Sequence, residues 1–271
     1  VTLPTLFLSH GSPLHARGGS RASEGWAALG ARLPRPEAIL VASAHWETEL
    51  PMVSAGARPE TIHDFGGFPP DLYRMQYAAP GAPKSAQRAI ELLKSAGIGA
   101  STNGCRGLDH GAWVPLRHMF PKADVPVAQI AVQPALGAAH HLRLGRALAP
   151  LADEGVLIVG SGHLTHNLFE VMTLLRRGEA EFGVETGAAA YVEDFRRWVE
   201  DALRRHDDDA LAAWLERAPQ ARRAHPTDEH FLPLLVAYGA AGADAQVERF
   251  DLGVEAQVLA MDGYVFTPGA N

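Results

Sequence analysis

A single cysteine, Cys105, stands in this chain of 271 residues. No intrachain disulfide can form, and a reducing compartment such as the cytoplasm is expected. Set in the polar stretch STNGCRG, the thiol reads as a bystander rather than a nucleophile. Basic charge is also scarce: 24 Lys and Arg against 31 Asp and Glu give a formal net charge of −7. That balance removes the electrostatic case for nucleic acid as a partner. No apolar run approaches the length that spans a bilayer, and Val1 is followed by a strand pattern rather than a signal peptide, so no membrane association is expected. Familiar chemical motifs are missing too. There is no Walker phosphate loop, no strand-linked GxGxxG with a following acid and no HExxH. Gly160-Ser161-Gly162 lacks the spacing of the serine-hydrolase elbow.

What is present is an apolar content of 47% with 20% charged residues, and 13 histidines. The first two figures describe an ordinary globule with a sizeable core. Thr5–Ser9, Ala38–Ala44, Val125–Val132 and Val156–Gly160 are short apolar runs bounded by Pro, Gly or Ser, and they predict buried strands. Helical spacing fills the gaps over Lys84–Ala96 and His140–Ala152, with Gly97 and Gly155 as stops. Alternation of this kind predicts an α/β fold: a central, mostly parallel or mixed sheet with helices on both faces. Further on, Val184–Arg205 predicts a long amphipathic helix and Asp209–Glu216 a shorter one. The segments VERFDLG and AQVLAMDGYVF predict two antiparallel strands. No repeat or linker demands a boundary, so one domain over 1–271 is expected, its oligomeric state left open.

The histidines carry the chemistry. His10 in LFLSHGSP and His45 in ILVASAHWE each follow an apolar run, at the strand end where open α/β sheets bind ligands. Neighbouring parallel strands would bring the two together. His110 follows Asp109, which could orient its ring. In GSGHLTHN, His163 and His166 are three apart and would share a face if the segment were helical. His230 ends HPTDEH, with Glu229 beside it. Two histidines and a carboxylate suit non-haem iron(II), and three histidines with an open position suit zinc. The stretch TIHDFGGFPP, with His63, Phe65 and Phe68, suits the wall of a pocket for a planar aromatic ligand. His140, His141 and His206 read as surface scatter.

Taken in order, SHGSP, SAHW, HDFGGFP, YxxxYxAPG from Tyr73 to Gly81, DHGxW, HN after Gly-Ser-Gly, and PTxEHxLPL resemble the class III extradiol ring-cleavage dioxygenases. The similarity is greatest to their DOPA 4,5-dioxygenase-like branch. It runs from residue 9 to about residue 235, nearly the whole chain. The resemblance implies a divalent metal, iron(II) with zinc(II) as the competing ion, held by His10, His45 and His230. It implies His166 as an acid–base residue and candidate fourth ligand, and His110 as a second catalytic histidine. His63 and Phe65 would contact substrate. The implied reaction opens the ring of a small aromatic diol with dioxygen to give a semialdehyde. Two readings stay open beside it: a zinc hydrolase using the same histidines, and a non-catalytic binder on the same scaffold.

Overall fold

A computed structural model describes residues 2–269; positions 1, 270 and 271 of the expected domain lie outside the described residues. The strands are β1 (Thr5–Ser9), β2 (Ala38–Glu47), β3 (Met52–Ser54), β4 (Ser101–Asn103), β5 (Val127–Val132), β6 (Val156–Gly162), β7 (Glu185–Thr186), β8 (Gln246–Phe250), β9 (Val254–Glu255), β10 (Leu259–Ala260) and β11 (Gly263–Thr267). Eight of them form one mixed sheet in the order β4-β3-β5-β2-β6-β1-β11-β8. Its centre, β5-β2-β6-β1, is parallel, and β11 and β8 continue it antiparallel. A small second sheet joins β10, β9 and β7.

The helices are α1 (Arg21–Arg32), α2 (Pro83–Ser95), α3 (His110–Met119), α4 (Gly137–Leu148), α5 (Pro150–Asp153), α6 (Leu168–Arg176), α7 (Ala190–Arg204), α8 (Asp208–Ala212), α9 (Trp214–Arg217), α10 (Ala221–Ala224) and α11 (Leu232–Ala240). Alternate residues of a strand face opposite sides of a sheet. Leu6, Leu8, Ile39 and Val41 accordingly pack with Trp26 and Trp113 of α1 and α3. On the other side, Leu40, Ala42 and Ile158 pack with Val236 of α11 and Leu144 of α4. Both sheet faces are therefore covered, as the alternation of runs predicts.

The departures have local causes. The predicted helix from His140 to Ala152 is two helices, because Pro150 lacks the N–H that would continue α4. The predicted helix at 184–205 starts only at Ala190, since Glu185 and Thr186 pair with β9 instead. The apolar run FLPLLVAYG is α11, buried on every side, a pattern without the periodicity that marks an amphipathic helix. His10 and His45 do not lie on neighbouring strands: β6 runs between β1 and β2. They meet because both side chains reach over the end of β6.

Candidate metal centre and active-site cavity

Two glycines permit the convergence. A Cβ on Gly162 would lie 2.1 Å from the His230 carbonyl, so the turn entering α11 rests directly on the end of β6. A Cβ on Gly111 would come within 2.9 Å of Ser43 Oγ and 3.2 Å of His10 Nδ1, so the first turn of α3 fits between the histidine-bearing strands only without a side chain. The ring centroids of His10 and His45 are 4.8 Å apart, those of His45 and His110 4.0 Å, and those of His45 and His230 5.0 Å. His166 stacks on His230 at 3.5 Å and 13°. Five sequence-predicted histidines thus share one site.

Hydrogen bonds on Nδ1 mark Nε2 as the free nitrogen of His10, His230 and His110. Ser161 Oγ donates its only proton to the Gly111 carbonyl, so it accepts from His10 Nδ1–H at 3.0 Å and leaves His10 Nε2 with a lone pair. Glu229 Oε1 accepts from His230 Nδ1–H at 2.8 Å, leaving a buried His230 Nε2 with no partner. Asp64 Oδ1 accepts from His110 Nδ1–H at 2.9 Å and from its backbone N–H at 3.0 Å. The other Asp64 oxygen lies 3.6 Å from His45 Nδ1, while His45 Nε2 faces His10 Nε2 at 2.9 Å. Ring nitrogens facing each other so closely need a cation or a shared proton between them. The ring of His230, with its orphaned Nε2, lies 5.5 Å from that of His10 and 5.0 Å from that of His45; imidazoles with carboxylates or hydroxyls on their outer nitrogens are donors that divalent transition metals take. The residues present fit a metal ion. Two sets of potential donor atoms lie within 4.8 Å of one another: His10, His45 and His110, and His166, Glu229 and His230.

Burial favours the neutral form of His10, His45, His166 and His230, the form a metal binds. Burial pushes His10, His166 and His230 well below the ordinary histidine value, reinforced by neighbouring histidines. Burial likewise takes His45 to about 4, with His110 adding to the effect. For Asp64, burial pushes upward, but the hydrogen bond and charge of His110 and the charge of His45 outweigh it and hold the carboxyl at about 2.

A cavity of about 800 Å³ opens over the cluster. Phe65, Phe68 and Pro69 of the loop after β3 form one wall, and Leu168, Met172 and Leu175 of α6 line it elsewhere. Phe65 meets His110 edge-on at 5.8 Å. His63 takes a different place: it stands outside this lining, its Nε2 bonded to the Met75 carbonyl and its ring 5.8 Å from Phe65. It supports the wall from behind.

Three expectations are corrected. Asp109 does not orient His110; as the N-cap of α3 it accepts from Ala112 N, Ser43 Oγ, Arg106 Nη2 and Gln129 Nε2. The orienting carboxylate is Asp64, whose signal was its place in HDFGGFP rather than any spacing to His110. His141 is not surface scatter but fully buried, bonded to Gly137 O and Gln133 N. The 163–167 segment is a loop, not a helical turn. His163 nevertheless lines the cavity, with its Nδ1 buried and unpartnered. Burial takes it to about 3. Ser161, Leu168, Met172, Leu175, Glu181 and Phe182 were invisible to sequence reasoning because only the chain's path brings them to the site.

Comparison with known proteins shows the family. The family model described as the catalytic LigB subunit of aromatic ring-opening dioxygenase matches residues 4–267. The 4,5-DOPA dioxygenase extradiol of Beta vulgaris is 42% identical over 268 residues, covering 97% of this chain and 96% of that protein. The protein of the same name from Escherichia coli K12 is 38% identical over 260 residues, covering 96% and 93%. A crystal structure of an uncharacterized Escherichia coli K12 protein superposes with a TM-score of 0.79 at 32% identity, covering 98% of this chain and all of the other. The hydrolase and binder alternatives are not favoured by these matches. The chain belongs to the LigB family of aromatic ring-opening dioxygenases and is an extradiol ring-cleavage dioxygenase.

Proposed function

We propose that the protein opens the ring of a DOPA-like catechol, using iron(II) held by Nε2 of His10, His45 and His230. The observation that carries this reading is the hydrogen-bond pattern: a Ser161 or Glu229 acceptor on Nδ1 leaves Nε2 free on His10 and His230, and that of His10 faces His45 Nε2 at 2.9 Å. When bound, such an ion supplies Lewis acidity and a redox centre beside which diol and dioxygen meet. Zinc(II) is the competing ion for the same imidazoles.

The chain's own residues do the rest. His166, stacked on His230 and kept neutral by burial, is the base that takes a proton from a diol hydroxyl, and its nearness makes it a candidate fourth ligand. His110 carries its proton on Nδ1 against Asp64, so its Nε2 is an acceptor. That nitrogen can receive the proton of the second diol hydroxyl and return it to the opened product, with Asp64 holding the ring in place. Phe65 and Phe68 supply flat apolar walls that orient the ring and exclude water.

Neither membrane nor nucleic acid enters this reading. Among the described residues no helix is long and apolar enough to cross a membrane. The single exposed thiol of Cys105 supports a reducing cytoplasm as the working compartment. The test is anaerobic loading with iron(II), then oxygen uptake and absorbance of the ring-fission product across a catechol panel that includes DOPA. One dioxygen consumed per ring opened is expected. Metal-dependent hydrolysis without oxygen uptake would overturn the proposal.

A further inference from the structure

The inner end of the cavity is accounted for by the histidines, but its outer end carries charges that ring cleavage does not use. Three non-histidine lining residues are charged: Arg17, Asp64 and Glu181. Asp64 is committed to His110 and His45. The Arg17 guanidinium is held by both oxygens of Asp71, at 2.8 Å through Nε and 2.5 Å through Nη2, so its charge is already offset. Glu181 has no ion pair or side-chain hydrogen bond among the described residues and leaves the rim with one uncompensated negative charge.

The surroundings of Glu181 are aromatic. Phe182 follows it in the chain and lies 6.0 Å from the ring of Phe68, which in turn lies 5.6 Å from Phe65. Aromatic faces attract cations and offer nothing to anions. The segment is also anchored. Gly183 N–H donates to Glu255 Oε2 at 3.1 Å, while Glu255 Oε1 sits 2.8 Å from His15 Nε2. Two residues beyond Gly183, β7 pairs with β9 and fixes the chain again. A carboxylate with no protein partner, sharing a cavity lining with Phe68 and Phe182 on an anchored segment, is a receptor for an ammonium group.

We propose that Glu181, with Phe68 and Phe182, forms an ammonium subsite for the substrate's ring substituent and sets a preference for cationic over anionic catechols. The inference rests on the catechol reading above and adds to it the sign of charge that the outer cavity selects. It assigns Glu181 as a specificity-determining residue that takes no part in the chemistry of the ring.

The test compares two substrates of equal reach: a catechol with an aminoethyl chain and one with a carboxyethyl chain. The ratio of their kcat/KM values is insensitive to the fraction of enzyme loaded with iron. Glu181→Gln is expected to lower the amine-to-acid ratio by about 3- to 10-fold, mainly through KM for the amine, and Glu181→Asp to retain most of it. Added salt should shrink the wild-type ratio, because the site is exposed. An unchanged ratio in Glu181→Gln would overturn the proposal, as would a Glu181→Asp ratio equal to that of Glu181→Gln. If neither catechol is turned over, the function reading fails while the subsite is still judged. Calorimetric binding of the corresponding monophenol amine and acid then reads the same preference, and equal changes for both ligands on Glu181→Gln would refute it.

Discussion

His141 and His230 are both buried histidines, and burial pushes both below the ordinary imidazole range. They differ in what their nitrogens meet. His141, on α4, donates from Nδ1 to Gly137 O at 2.7 Å and accepts Gln133 N–H on Nε2 at 3.0 Å, so the ring is spent as a structural bracket. His230 has only Nδ1 occupied, by Glu229, and leaves Nε2 buried and unpartnered. Leaving a buried nitrogen unmet costs about 1–3 kcal/mol, which an ion bound among the clustered rings would offset. Burial is common to the two rings; what differs is that His141 has partners on both nitrogens and His230, among a cluster of other histidines, has one on Nδ1 alone.

The sharpest way to break this comparison is to delete a free nitrogen. His230→Ala or His10→Ala is expected to abolish both metal binding and ring cleavage, measured by metal content and oxygen uptake; a fully active variant would collapse the distinction. Next comes His166→Ala, which keeps the three proposed ligands and removes the base. A fall of about 10²- to 10⁴-fold in kcat with metal content retained is expected. Removing an outer hydrogen bond should do less. Glu229→Gln and Asp64→Asn are each expected to cost about 10- to 100-fold in metal affinity or activity, read by chelator competition and turnover. Smallest in activity is the scaffold control: His141→Ala should leave kcat and metal content unchanged while lowering stability by about 1–3 kcal/mol in denaturant unfolding.

Acid should probe the scaffold histidines as well. His141 and His225 sit at about 4 because burial disfavours their charged forms. Above about pH 6.5 neither the folded nor the unfolded chain protonates them, so stability is full. Between about 6.5 and 4 the unfolded chain takes up protons that the folded chain refuses. Stability therefore falls with pH by up to roughly 1.4 kcal/mol per unit for each ring. A variant with His141 replaced by a residue that does not titrate should show a shallower loss than wild type.

Much of the fold was legible because buried strands leave short apolar runs, as in β1 and β6, and amphipathic helices leave periodic ones, as in α2. α11 left none, since a helix apolar all round has no polar face to reveal its period. The proposed ligands His10, His45 and His230 could be named from motif order, and the structure brings their rings together. Their route to each other could not, because β6 intervenes and its glycines matter through what a Cβ would strike. Asp64 and Asp109 show the limit of adjacency arguments. Asp109 precedes His110 in sequence but caps its helix, whereas Asp64 arrives from a separate loop to hold the ring. Nor could α6 and the 181–182 segment be assigned to the cavity, since only tertiary folding carries them over it.

The central claim is that the Nε2 atoms of His10, His45 and His230 share one divalent ion. Anomalous diffraction from crystals of the iron-loaded protein, collected on both sides of the iron edge, tests it directly. The account predicts a single site about 2.0–2.2 Å from those three nitrogens, with Glu229 and Asp64 remaining on the outer Nδ1 atoms. An ion held instead by His110 or by the Glu229 carboxylate, with His230 Nε2 still unpartnered, would contradict it.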